Sequence, residues 1–145
     1  MKTIFHSAMF IASVLWFSAC SEPTTEANFH VIPAPQTMTE QPDGGSFLLG
    51  SDVKIIYPEG NEAMERNAQF LGDYLLTVPK ICSDASGVEA KGNILLAIDP
   101  SVSEKPEGYR LKVTSDGVVI TGASEAGVFY GIQTLRKSVG VFLNA

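Results

Sequence analysis

The sequence predicts an α+β domain: a mainly antiparallel sheet of about five strands with two helices packed on it. Three stretches carry that prediction. Tyr109, Leu111 and Val113 alternate with Arg110, Lys112 and Thr114 on one side of Asp116-Gly117, and Val118, Ile120 and Gly122 return on the other, the pattern of a half-buried hairpin. Asn93–Asp99 (NILLAID) is nearly continuous in apolar residues, as a central strand would be. Glu62–Val78 and Ser124–Val139 each place apolar residues at helical spacing. With 145 residues, 45% hydrophobic and 18% charged, the chain suits one ordinary domain and is not disordered by composition.

Met1–Cys20 reads as a targeting segment outside the fold. Lys2 gives a short positive start, and Ala8–Phe17 is an apolar run too short to span a bilayer as a stable helix. Phe17-Ser18-Ala19-Cys20 resembles a bacterial lipobox, which implies a lipid on Cys20 and an anchor in the membrane. Ser21 in place of aspartate then implies sorting to the outer membrane of a Gram-negative envelope. An ordinary secretory signal cut near Ala19 is the alternative, and either one exports the chain. Residues 21–28 (SEPTTEAN) read as a polar tether, so the folded domain is expected over residues 29–139.

Within the domain, His30 has no acidic or sulfur neighbour at metal-ligand spacing and reads as a surface residue. Phe47-Leu48-Leu49 is expected as a short strand and Val53–Tyr57 (VKIIY) as a stronger one, stopped by Pro58. Met64, Ala68, Leu71 and Leu75 form one apolar stripe on the first helix, with Glu62, Glu65, Arg66 and Asp73 on its solvated side. Val78-Pro79 ends that helix, since a residue before proline disfavours helical geometry. Pro79–Gly92 is expected as an irregular link. Cys82 lies in it and reads as a part-buried small residue rather than a nucleophile; with Cys20 lipidated it has no disulfide partner.

In the hairpin, a turn closed at Asp116-Gly117 sets Ser115 opposite Val118 and Val113 opposite Ile120. Leu111, Val113, Val118 and Ile120 then share one face, and Arg110, Lys112 and Thr121 the other. Ser124 is the expected cap of the second helix, with Glu125 in its first turn. Val128, Ile132, Leu135 and Val139 make its stripe, which Phe129 borders. Gly127 and Gly131 flank the stripe although a helical glycine costs about 1 kcal/mol relative to alanine. Two such residues imply the close approach of another surface, either the domain's own sheet or a docked domain. A phosphate loop is excluded: no Gly-Lys-Ser/Thr follows and the spacing is not GxGxxG.

The net charge of −6 argues against a nucleic-acid partner. Arg136-Lys137, the only adjacent basic pair, sits at a helix end where it complements the dipole. The paired acids Glu62/Glu65 and Glu104/Glu107 read as solvated surface, and no metal or cofactor is called for.

GYRLKV, DGVVITG and above all GVFYGIQTL resemble the end of the non-catalytic N-terminal α/β domain of family 20 glycoside hydrolases, the β-N-acetylhexosaminidases. Val31-Ile32-Pro33 followed by Pro35 is similar to that domain's opening, an edge strand running into a turn. Related domains precede the barrels of families 84 and 67. The resemblance implies a catalytic (β/α)₈ barrel in the same polypeptide, whose adjacent Asp-Glu pair orients the substrate's N-acetyl group and donates the proton. This chain holds no such dipeptide, and a barrel needs about 250 residues by itself. The resemblance therefore implies an accessory scaffold with no catalytic residue of its own, with residues 140–145 as a truncated link and the Gly127/Gly131 helix as the candidate face for the barrel. A stand-alone lipoprotein module binding glycans or protein is the other reading. Tyr57, Tyr74, Tyr109 and Tyr130 do not line up by spacing as a binding platform would.

Overall fold

The computed structural model describes residues 34–39, 45–50, 52–75, 80–84 and 90–138. Cys20, the tether, His30 and residues 140–145 lie outside them. The elements run β1 (Lys54–Pro58), α1 (Glu62–Tyr74), β2 (Lys80–Asp84), β3 (Asn93–Ile98), a 3-10 turn at Pro100–Val102, β4 (Tyr109–Thr114), β5 (Gly117–Gly122) and α2 (Glu125–Ser138). The strands form one five-stranded sheet in the order β2-β1-β3-β5-β4.

That sheet is mixed and mostly parallel, which corrects the expected antiparallel one. β1 pairs parallel with both β2 and β3, and β3 pairs parallel with β5. Among the described residues only β4 and β5 are antiparallel. The physical reason is the connection after β1. Parallel neighbours need a crossover of a dozen or more residues, and α1 supplies it between β1 and β2. β2 falls where an irregular link was expected. Its residues KICSD are half-exposed or exposed and carry little apolar signal. Phe47–Leu49 is not a strand: Phe47 and Leu49 pack on the core from an irregular segment while Leu48 is exposed. Residues 34–36, the described part of the expected edge opening, are also irregular.

The hairpin exists in a different register. Val113 pairs with Val118, Leu111 with Ile120 and Thr114 with Gly117, so Ser115-Asp116 is the two-residue loop. Pairing has moved by two positions from the expected one. A shift of two preserves the faces, whereas a shift of one inverts them. Leu111 and Ile120 therefore still share a face, as do Arg110 and Thr121 on the other.

α1 starts at Asn61, whose Oδ1 accepts from the amides of Ala63 and Met64, both at 3.1 Å. It ends at Tyr74 with Leu75 as cap, short of the expected Val78; residues 76–79 lie outside the described set. Both helices pack on one face of the sheet and on each other. Met64, Ala68 and Leu71 of α1 and Val128, Ile132 and Leu135 of α2 are buried against Ile55, Ile94, Leu96, Val118 and Ile120 of the strands. Burying one such large aliphatic side chain is worth about 1.5–3 kcal/mol. The opposite face holds Ile56, Leu95 and Val119 in one row, continued by Cys82 and Lys112. Cys82 is thus a half-buried thiol on the strand that, among the described residues, forms the sheet's edge.

Candidate functional site

Ser124 caps α2 as expected. Its Oγ accepts from the Ala126 amide at 3.2 Å and donates to the Pro106 carbonyl at 2.8 Å, which fixes the strand-to-helix corner against the β4 approach. Gly127 and Gly131 both face inward. A Cβ on Gly127 would strike the Gly108 carbonyl oxygen and stand 3.1 Å from Gly122 Cα. One on Gly131 would strike the Ile120 methyl and stand 3.2 Å from the Tyr109 ring. The two glycines let α2 settle onto β4 and β5. A surface reaching α2 from outside meets Phe129, Tyr130, Gln133, Arg136 and Lys137 instead.

The two helices run in the same direction and are tied at both ends. At their N-terminal ends Asn61 Nδ2 donates to Glu125 Oε1 at 3.0 Å, and Asn67 Nδ2 donates to the Glu125 carbonyl at 3.0 Å. The Asn61 bond holds the Glu125 carboxyl below its ordinary range, helped by Glu125's own backbone amide and opposed by desolvation. At their C-terminal ends Tyr74 Oη donates to the Arg136 carbonyl at 2.9 Å.

Between these ties lies an aromatic cluster. The Phe70 and Phe129 rings are 5.3 Å apart, and Tyr130 meets Phe129 edge-on at 6.1 Å. The Arg136 guanidinium sits 4.6 Å from the Phe70 centroid and 4.2 Å from that of Tyr74. Its Nη1 donates to Gln133 Oε1 at 3.1 Å, while its buried Nε has no hydrogen-bond partner. Tyr74, Gln133, Arg136 and Lys137 line a shallow recess of about 170 Å³ beside this cluster. Sequence reasoning missed the cluster because it compared tyrosines along one chain. The signal was present at helical spacing: Phe70 and Tyr74 are four apart beside one buried stripe, and Phe129, Gln133 and Arg136 run beside the other.

The remaining polar groups serve structure. Asp99 caps the 3-10 turn, and Ser101 bonds to its carboxylate, with Arg110 adding a weaker pull, keep that group below its ordinary range. Glu62 pairs with Arg66 at 3.8 Å on an exposed helix face, an interaction worth little. Glu104 and Glu107 are exposed in the loop before β4. Among the described residues no three His, Cys, Asp or Glu side chains group as a metal site, and no helix is long and apolar enough to cross a membrane.

Known proteins share this fold and sequence. Residues 28–142 match the family described as glycosyl hydrolase family 20, domain 2. The β-hexosaminidase of Porphyromonas gingivalis is 33% identical over 136 residues, which cover 88% of this chain and 17% of that protein. The family 20 β-N-acetylhexosaminidase of Streptomyces coelicolor A3(2) superposes with a TM-score of 0.62 at 29% identity, over 79% of this chain and 22% of that one. The β-N-acetylhexosaminidase of Bacteroides fragilis NCTC 9343 superposes with a TM-score of 0.56 at 25% identity, over 74% of this chain and 20% of that one. The chain spans a minor part of each relative's length. Among families 20, 84 and 67 the match falls to family 20. From its sheet, its paired helices and these matches, the chain belongs to family 20 of the glycoside hydrolases, as the family's N-terminal, non-catalytic α/β domain.

Proposed function

We propose that this domain is the scaffold of an exo-acting enzyme that removes terminal, non-reducing N-acetyl-D-hexosamine residues. The observation that carries the reading is the family match over residues 28–142, joined to 33% identity with a β-hexosaminidase. In this reading the domain braces a (β/α)₈ barrel of the same polypeptide through the outward side of α1 and α2. Catalysis belongs to that barrel, and the 145 residues supply none of it. Purified chain is expected to leave a chromogenic N-acetylglucosaminide intact; turnover by homogeneous protein would sink the reading. The reading frame beyond Ala145 is expected to encode a barrel with an adjacent Asp-Glu pair.

The lipobox-like Phe17–Cys20 and the polar stretch after it support export and anchoring through Cys20 in the outer membrane. Metabolic labelling with a palmitate analogue in a Gram-negative host tests this. The wild-type chain is expected to take up label and fractionate with the outer membrane, and Cys20→Ala to lose both. Equal labelling of the two would remove Cys20 from the account.

A further inference from the structure

We propose that β2 is the edge on which two copies of this chain join, antiparallel and about a two-fold axis through Cys82, into one continuous sheet. The Glu59 amide donates to the Asp84 carbonyl at 3.3 Å, and Asp84 pairs with Pro58 in the parallel ladder. Backbone groups alternate sides along a strand. Those of Lys80, Cys82 and Asp84 therefore face β1, and the N–H and C=O of Ile81 and Ser83 face away from it. Ile81 and Ser83 are both exposed, and among the described residues nothing takes up these outward groups. Such an edge is a template for another strand.

The second copy is singled out because KICSD is complementary to itself. Laid antiparallel on another β2 and centred on Cys82, Ile81 stands opposite the other copy's Ser83, each N–H meeting the other's C=O, and Ser83 stands opposite Ile81 likewise. Lys80 stands opposite Asp84 at both ends, so each end joins unlike charges. Cys82 meets its own counterpart as a non-hydrogen-bonded pair, in which Cα atoms are about 4.5 Å apart. Every residue of β2 has a partner in this register, and a centre one residue earlier or later leaves some without. Ile81, 38% exposed in the single chain, then lies diagonally across the axis from its counterpart, within reach of an apolar contact. α1 presents Gly72 above Ile81, so no helix side chain overhangs the edge at that point. A strand of 5 residues on each side makes a small interface, so the pairing is weak and the dilute chain is monomeric.

The test uses the full chain with Cys20→Ala, which leaves Cys82 as its one thiol. Under reductant, sedimentation is expected to show monomer at micromolar concentration and a reversible dimer on approaching about 1 mM. A chain still monomeric there would overturn the proposal. Diamide then reports the register. Two Cys82 thiols give up two protons and two electrons to its N=N bond, leaving a disulfide and a hydrazine. The paired Cα atoms fall inside the roughly 4.4–6.8 Å that a disulfide spans. Ser83→Pro removes an outward N–H and leaves the β1 ladder and the thiol in place. Linked dimer is expected to form several-fold more slowly in that variant; an equal rate would mark random collision and overturn the edge. Lys80→Glu and Asp84→Lys each set like charges opposite one another. Alone, each is expected to dimerise several-fold more weakly than the parent, and an equimolar mixture of the two to recover. A mixture no tighter than either variant by itself would overturn the register centred on Cys82.

Discussion

At the scale of single residues, Gly127 and Gly131 decide how close α2 lies to the sheet. The obstacle at Gly127 is backbone, the Gly108 carbonyl, whereas at Gly131 it is the Ile120 methyl and the Tyr109 ring. Side chains can yield where backbone cannot. Gly127→Ala is expected to destabilise by about 1–3 kcal/mol through overpacking. Gly131→Ala should lose less, because its obstacles are side chains; the gain of about 1 kcal/mol in helix propensity is common to both variants. Urea denaturation of both variants checks the order; a Gly127→Ala protein as stable as wild type would refute it. Asn61 does two jobs, capping α1 and bonding Glu125. Asn61→Ala is expected to cost about 1 kcal/mol through the cap alone. The bond to Glu125 adds a pH-dependent part. The folded carboxyl titrates below its unfolded value, so its contribution is complete above the unfolded pKa and disappears as pH falls through the folded one. The stability gap between wild type and Asn61→Ala should thus narrow on acidification and level off at the cap's share. A gap that widens toward acid would contradict the assignment.

At the scale of elements, the strands differ in how many partners hold them. β3 lies between β1 and β5, while among the described residues β2 has β1 as its strand neighbour and is half-exposed or exposed along its length. Amides of β3 are expected to exchange with deuterium far more slowly than those of β2, approaching the global unfolding limit. Equal protection would mean that β2 is covered by something beyond its sheet partner. The same difference governs what could be read beforehand. β3, β5 and both helix stripes bury apolar residues at a fixed period, and burial is what periodicity records. β2 contributes one edge through backbone hydrogen bonds, which any sequence can make, so KICSD carried no pattern to find. Strand direction is hidden for a related reason, since it follows from where a connection crosses and not from side chains. At the candidate site, the inward glycines were visible as glycines, but which way they faced required the sheet. The Arg136 cluster joins residues of two helices, so neither helix's spacing alone displayed it.

At the scale of the molecule, the layer of two helices and the layer of five strands share one core. α2 closes it, contributing Val128, Ile132 and Leu135. A chain ending at Gly122 keeps all five strands and α1 but is expected to show no cooperative thermal transition, because that core is then open to water. A sharp unfolding transition in that shortened chain would show α2 to be dispensable. The ties between the helices have a further consequence for how the protein comes to be. Asn61 and Glu125 stand 64 residues apart in sequence, and Tyr74 and Arg136 stand 62 apart. Contacts of such separation must close long loops before they stabilise anything, and that slows folding. During synthesis α1 emerges ahead of its partners on α2 by those same spans. The α1 side of the core therefore stays open until α2 has been made, so the domain closes as one unit rather than from its N-terminal end onward.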